Sequence, residues 1–205
     1  MVKRAPVDPN IITSMRLPMA PVAVAFLVTG TIWGTIVAAI LALLLEVSDL
    51  LDGYVARRYE QVTDFGKLYD PFSDAFTRYT LFLGLYAIGV AQLWMVIAIF
   101  YRDAAISFFR TVAATREVVV AARPSGKIKA LFQGFGMQFI FLFLVLTEVY
   151  PEWGAIQDVP YWIMVVITLV TIASFLDYFR GNLPTLRDAW ENRPLLRKKK
   201  KGSPE

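Results

Sequence analysis

Four carboxylates, Asp49, Asp52, Asp70 and Asp74, are spaced to act together. Asp49 and Asp52 stand at i, i+3, and Asp70 and Asp74 at i, i+4, so on helices each pair presents two carboxylates in one direction. A short polar turn between the two segments lets the pairs converge. Converging carboxylates repel one another unless a hard dication lies between them, and an all-oxygen set suits Mg²⁺ first. All four stand at the ends of long apolar runs, where an ionisable residue is costly and is a functional hypothesis by default. The plainer alternative is a set of solvated helix caps or a structural ion site. The chain contains no histidine, so acid–base work falls to carboxylates, Lys or Tyr.

The neighbours of these residues can be read in two ways. Gly53 follows Asp52 directly and Gly66 lies one turn before Asp70; missing side chains there either admit a nucleotide to the backbone or let helices cross closely. Ala56 is a similar small contact. Arg57 either forks onto a phosphate or is a charge that fixes orientation. Arg78, one turn after Asp74, either holds that carboxylate ionised, reaches substrate, or forms a purely structural ion pair.

The elements that must position these residues are membrane helices. With 57% hydrophobic residues and 15 Phe in 205 residues, and a mean hydropathy of +0.52, a soluble domain could not hide so much apolar surface. The pattern predicts an all-α integral membrane protein of six transmembrane helices at about 17–30, 32–58, 67–89, 92–120, 126–149 and 159–180, each near the span a bilayer demands. Pro9 to Arg16 is predicted as an interfacial amphipathic segment, with Ile11, Ile12 and Met15 on one side. The division is thus 1–16 interfacial segment, 17–180 membrane domain and 181–205 basic tail. No cleavable signal peptide is expected, because the first apolar run flows directly into the fold. The absence of Cys excludes disulfides and thiolate chemistry.

Charge orients the bundle. Lys and Arg outside the spans gather at the N-terminus, the 58–67 turn, the 114–129 loop and the tail, while the connections near Thr29–Thr31, Gly89–Gln92 and Glu148–Val159 carry none. This positive-inside pattern predicts both termini and the aspartate-bearing helix ends on the cytosolic side of the cell membrane. The tail from Arg193 to Lys201 is read as a topology determinant with affinity for anionic membrane lipids, and not as a nucleic-acid site. Farther along, Arg102, Arg110, Lys127 and Lys129 come from two helices joined by one loop. Several cations facing one polar cavity suit a phosphorylated substrate; the alternative is that Arg102 pairs internally with Asp103 and the lysines are boundary anchors.

The run D-x2-D-G-x2-A-R-x8-G-x3-D-x3-D from Asp49 to Asp74 resembles, position for position, the signature of the CDP-alcohol phosphotransferase family. The outer segments resemble those of the family's phosphatidylglycerophosphate synthases and bacterial cardiolipin synthases. They are Pro9-Asn10-Ile11-Ile12-Thr13-Ser14-Met15-Arg16, Arg102-Asp103 with Ser107 and Arg110, Gly126-Lys127-x-Lys129-x3-Gln133, and Ser174-x2-Asp177-Tyr178. Ala130 departs from the usual Thr, and Phe72-Ser73 with Ala75 departs from the usual run between the last two aspartates. The resemblance implies that Asp49, Asp52 and Asp70 bind divalent metal and that Asp74 is the base and a shared ligand. It implies two ions, Mg²⁺ or Mn²⁺, and a CDP-diacylglycerol site lined by Asp52, Gly53, Ala56, Arg57 and Gly66. The implied acceptor is glycerol 3-phosphate, gripped by Arg102, Arg110, Lys127 and Lys129, and the implied assembly is a homodimer. Alternatives within the reaction class are inositol phosphate, serine or phosphatidylglycerol as acceptor. Outside it stands a divalent-cation transporter, against which the sequence shows no inverted repeat and no second acidic array.

Overall fold

The structure, a computed structural model, describes residues 9–59, 64–115 and 123–190, leaving out the side chains at 52–57 and at several other positions near helix ends. The basic tail from Arg193 to Lys201 lies outside the described residues. Among the described residues six α-helices follow one another, α1 (Pro9–Leu27), α2 (Ile32–Arg58), α3 (Asp64–Ala87), α4 (Leu93–Thr115), α5 (Pro124–Val149) and α6 (Val159–Trp190), with one 3₁₀ turn at Gly154–Ile156. No strand interrupts them among the described residues.

The turns follow from residue type. Gly30 and Gly89 sit at φ +63° and +80°, backbone that a Cβ disfavours, and each reverses the chain in a few residues. At the other end of the bundle, Arg123 is extended (φ −98°, ψ 148°) and Pro124 opens α5, where a missing N–H costs nothing.

α1 lies against α2 and α3, α2 against α5, and α6 against both α5 and α4. The core between them is built from Ala20, Ala23 and Leu27 of α1, Ala38, Ala42 and Leu45 of α2, Phe82 and Leu85 of α3, Met95 and Ile99 of α4, Ile140 and Phe141 of α5, and Met164 and Ile167 of α6. Small residues bring the axes close. A Cβ on Gly84 would stand 2.7 Å from Val24 Cγ2, and one on Gly136 would stand 2.7 Å from Ile167 Cδ1.

Among the described residues, three helical stretches are long and apolar enough to cross a membrane by length and composition, Ile32–Leu51, Pro124–Val149 and Val159–Pro184. Large apolar side chains cover the outside, among them Leu43, Leu44, Phe135, Phe139, Trp162 and Leu169. A chain that buries polar residues and turns Leu and Phe outward is solvated by lipid, in which apolar surface costs nothing.

Where the sequence predicts an interfacial segment followed by a short span, the structure has the single helix α1, continuous through Pro18 and Pro21. Its first half turns Ile11 and Met15 outward, while Thr13 and Arg16 are fully buried. The physical reason lies in the partners of those two polar residues, which hold this stretch in the bundle.

Candidate active site

The inward face of α1 meets the aspartate-bearing ends of α2 and α3. Arg16 Nη1 donates to Asp49 Oδ1 at 2.5 Å, with the guanidinium side chain only 1% exposed. Thr13 Oγ1 donates to Asp70 Oδ1 at 3.3 Å, and Ser73 Oγ donates to the Thr13 carbonyl at 3.1 Å. On α3, Arg78 Nε donates to Asp74 Oδ1 at 2.9 Å across one helical turn. Asp49, Asp70 and Asp74 are therefore each held by a cation or a hydroxyl, from α1 for the first two and from the next turn of α3 for the third.

Asp49 and Asp74, from different helices, open into one recess together with Arg16, Glu46, Arg78 and Gln133. Of the four carboxylates expected to converge, the structure brings these two together. Asp70 stands beside it on Thr13 and is not among the lining residues. The side chains of Asp52, Ala56 and Arg57, and Gly53 with them, lie outside the described residues; Gly66 is buried at the start of α3. Among the described residues, no three acidic side chains stand close enough together to ligate one ion. The recess offers carboxylate, amide and hydroxyl oxygens, with the Met137 thioether its one soft atom and no imidazole or thiolate, so its oxygen donors fit a hard dication completed by the remaining two aspartates.

A second polar cluster joins α4, α5 and α6. Lys129 Nζ donates to both oxygens of Asp103, at 2.9 and 3.1 Å. Arg102 Nη1 donates to Asp103 at 2.6 Å and its Nη2 to Ser174 Oγ at 3.0 Å. Arg102 and Lys129 thus meet at Asp103, which holds both, the internal pairing of Arg102 that the sequence offered as the alternative. Two cations against one carboxylate leave a local excess of positive charge. Arg110 and Lys127 are exposed on the same two helices. Gly126 lies against Arg102, where an added Cβ would stand 4.0 Å from Nη2.

Three features have no role in the sequence reading, although Asp177 and Gln133 stand in its motifs. Glu46 precedes Asp49 by three residues and shares its face; it was legible as a lone charge in the apolar run from Ile40 to Leu45. The space its carboxylate occupies exists because Gly134 of α5 has no side chain there. Arg123 grips Asp177 with two donors, at 2.8 and 2.9 Å, and Ser125 Oγ adds a third at 2.6 Å. Gly181 lies against that guanidinium and leaves no room for a Cβ. Gln133 and Thr77 line the recess with buried polar atoms.

A family model described as CDP-alcohol phosphatidyltransferase matches residues 7–173. Over 193 residues, the chain is 31% identical to a Bacillus subtilis protein named CDP-diacylglycerol–glycerol-3-phosphate 3-phosphatidyltransferase, covering 87% of this chain and 96% of that one. A Treponema pallidum protein of the same name is 30% identical over 160 residues, covering 75% and 73%. A Mycobacterium tuberculosis protein named probable phosphatidylglycerophosphate synthase is 29% identical over 178 residues, covering 82% and 78%.

Proposed function

The chain belongs to the CDP-alcohol phosphatidyltransferase family, and from that membership we propose that it transfers the phosphatidyl group of CDP-diacylglycerol to glycerol 3-phosphate, giving phosphatidylglycerophosphate and CMP. The observation that carries the reading is the meeting of Asp49 and Asp74 in one recess, within a complete aspartate signature, in a chain whose relatives are named for that reaction.

Asp74 is the base. It takes the proton of the acceptor's primary hydroxyl as that oxygen attacks the lipid-side phosphorus. The bond from phosphorus to the bridging oxygen breaks, and its electron pair leaves with CMP. Arg78 fixes the orientation of the Asp74 carboxylate from one turn away. Asp49, Asp52, Asp70 and Asp74 would hold two divalent ions, Mg²⁺ or Mn²⁺, which when bound offset the pyrophosphate's charge. Asp52, Gly53, Ala56, Arg57 and Gly66 line the CDP-diacylglycerol site. Arg102 and Lys129, with Arg110 and Lys127 on the same helices, receive the acceptor's phosphate, which draws Arg102 and Lys129 from Asp103.

All six helices span the membrane, with the active site and both termini on the cytosolic face, and the protein works as a homodimer. Release of CMP from CDP-diacylglycerol, measured against glycerol 3-phosphate, phosphatidylglycerol, inositol phosphate and serine, tests the assignment. Glycerol 3-phosphate should be preferred by orders of magnitude; preference for a phosphate-free alcohol overturns the acceptor, and no CMP release with any alcohol overturns the reaction.

A further inference from the structure

Two buried polar atoms in the recess are not accounted for by that mechanism. Gln133 is 1% exposed and Thr77 is 5% exposed, and both line the recess shared with Asp74. Gln133 Oε1 and Thr77 Oγ1 each lack a hydrogen-bond partner among the described residues. Leaving such an atom dry and unpaired costs free energy, so its presence calls for an occupant.

The orientation of the Gln133 amide is fixed by its surroundings. Thr171 Oγ1 donates to the Ile167 carbonyl at 2.7 Å, which uses its only proton. Only lone pairs then face Gln133, so the amide must present Nε2 to Thr171, at 3.3 Å, and turn Oε1 away from it. Thr77 is distinctive in another way. Thr80, Thr111, Thr168 and Thr171 all donate to the carbonyl four residues back, as helix threonines commonly do. Thr77 makes no such bond, and its hydroxyl remains available as donor or acceptor.

An acceptor from α5 and a hydroxyl from α3 complement a group that is itself both donor and acceptor. Gln133 also follows Lys129 by four residues, so the two share a face of α5. Gln133 thus shares a helix face with Lys129 and a recess with Asp74.

We propose that Gln133 Oε1 and Thr77 Oγ1 form a hydroxyl-reading subsite that holds the acceptor's secondary, non-reacting alcohol and thereby sets which hydroxyl meets Asp74. This rests on the reading of glycerol 3-phosphate as acceptor. A buried polar site built for a hydroxyl rejects the analogue that lacks it, because its own groups are then left unpaired.

The test compares glycerol 3-phosphate with 3-hydroxypropyl phosphate, which keeps the primary alcohol and the phosphate and lacks only the secondary hydroxyl. Purified enzyme should favour glycerol 3-phosphate by roughly 10- to 100-fold in kcat/KM. Gln133→Met and Thr77→Val, close in shape but without the polar atoms, should bring that ratio to within about threefold of unity. Their rates with the deoxy acceptor should change far less, which also reports that the variants are folded. Thr77→Ser keeps a hydroxyl and should keep the ratio. Equal use of both acceptors by the unaltered enzyme overturns the subsite while the transferase reading stands, as does a ratio that persists in both variants. No CMP release with either phosphate, alongside release with another alcohol, overturns the acceptor assignment and the subsite with it.

Discussion

Asp74 and Arg78 stand one turn apart on α3 and bond at 2.9 Å, in the recess that Asp49 enters from α2. If Asp74 carries the proton, Asp74→Asn should lower the chemical step by roughly 10² to 10⁴, the range for loss of a general base. Single-turnover CMP release gives that number, and CDP-diacylglycerol binding should persist in the same preparation. Loss of binding with an unchanged rate would make Asp74 a ligand only. Lys129→Ala should raise KM for glycerol 3-phosphate by about one to two decades, the worth of a charge-assisted hydrogen bond, with little effect on KM for CDP-diacylglycerol. The aspartates were legible because their spacing is a regular function of helix geometry. Their partners were not. Arg16 lies 33 residues from Asp49 and Thr13 lies 57 from Asp70, and nothing local in the sequence joins them. Glu46 sat in plain view, but the glycine that makes room for it is on another helix.

Helix boundaries show the same division between local and distant causes. The span predicted at 32–58 is α2 as observed, and the spans predicted at 126–149 and 159–180 begin within two residues of α5 and at the start of α6. These ends are set by Gly, Pro and charge in the immediate sequence. At α1 the predicted interfacial segment and span are one helix, because the buried polar contacts of Thr13 and Arg16 hold its first half in place and offset the lost donors and ring clashes of Pro18 and Pro21. Crossing distances were not legible at all. Gly84 is the sharpest case, since Val24 is stiff at χ1 and cannot swing clear of an added methyl. Gly84→Ala should therefore force α1 from α3 and lower stability by about 1–3 kcal/mol, read as a fall in Tm in detergent. Val24→Ala added to it should restore part of the loss. An unchanged Tm in the single variant would show that the two helices can part freely.

For the molecule as a whole, the predicted sidedness can be read directly because the chain has no cysteine. A single Cys placed at Gln157, in the connection between α5 and α6, should react with a membrane-impermeant maleimide on intact cells. One placed at Arg58 should react only after permeabilisation. The reverse pattern would invert the bundle. Chelation should abolish CMP release, and Mg²⁺ or Mn²⁺ should restore it; full activity in excess chelator would remove metal from the mechanism.

The ion pairs carry a consequence for how the chain enters the bilayer. Arg16 of α1 is matched by Asp49 of α2, and Asp103 of α4 by Lys129 of α5. A helix released alone would expose its charge to lipid at roughly 2.5–3.5 kcal/mol for each central Arg, Lys or Asp. The helices that are apolar enough to be released alone are α2, α5 and α6, while α1 and α4 each immediately precede a helix that holds a countercharge. If α1 enters lipid together with α2, Arg16 and Asp49 arrive already paired, whereas α4 carries Arg102 beside Asp103 and brings a countercharge of its own. Biogenesis would then begin with the α1–α2 hairpin rather than with α1 alone.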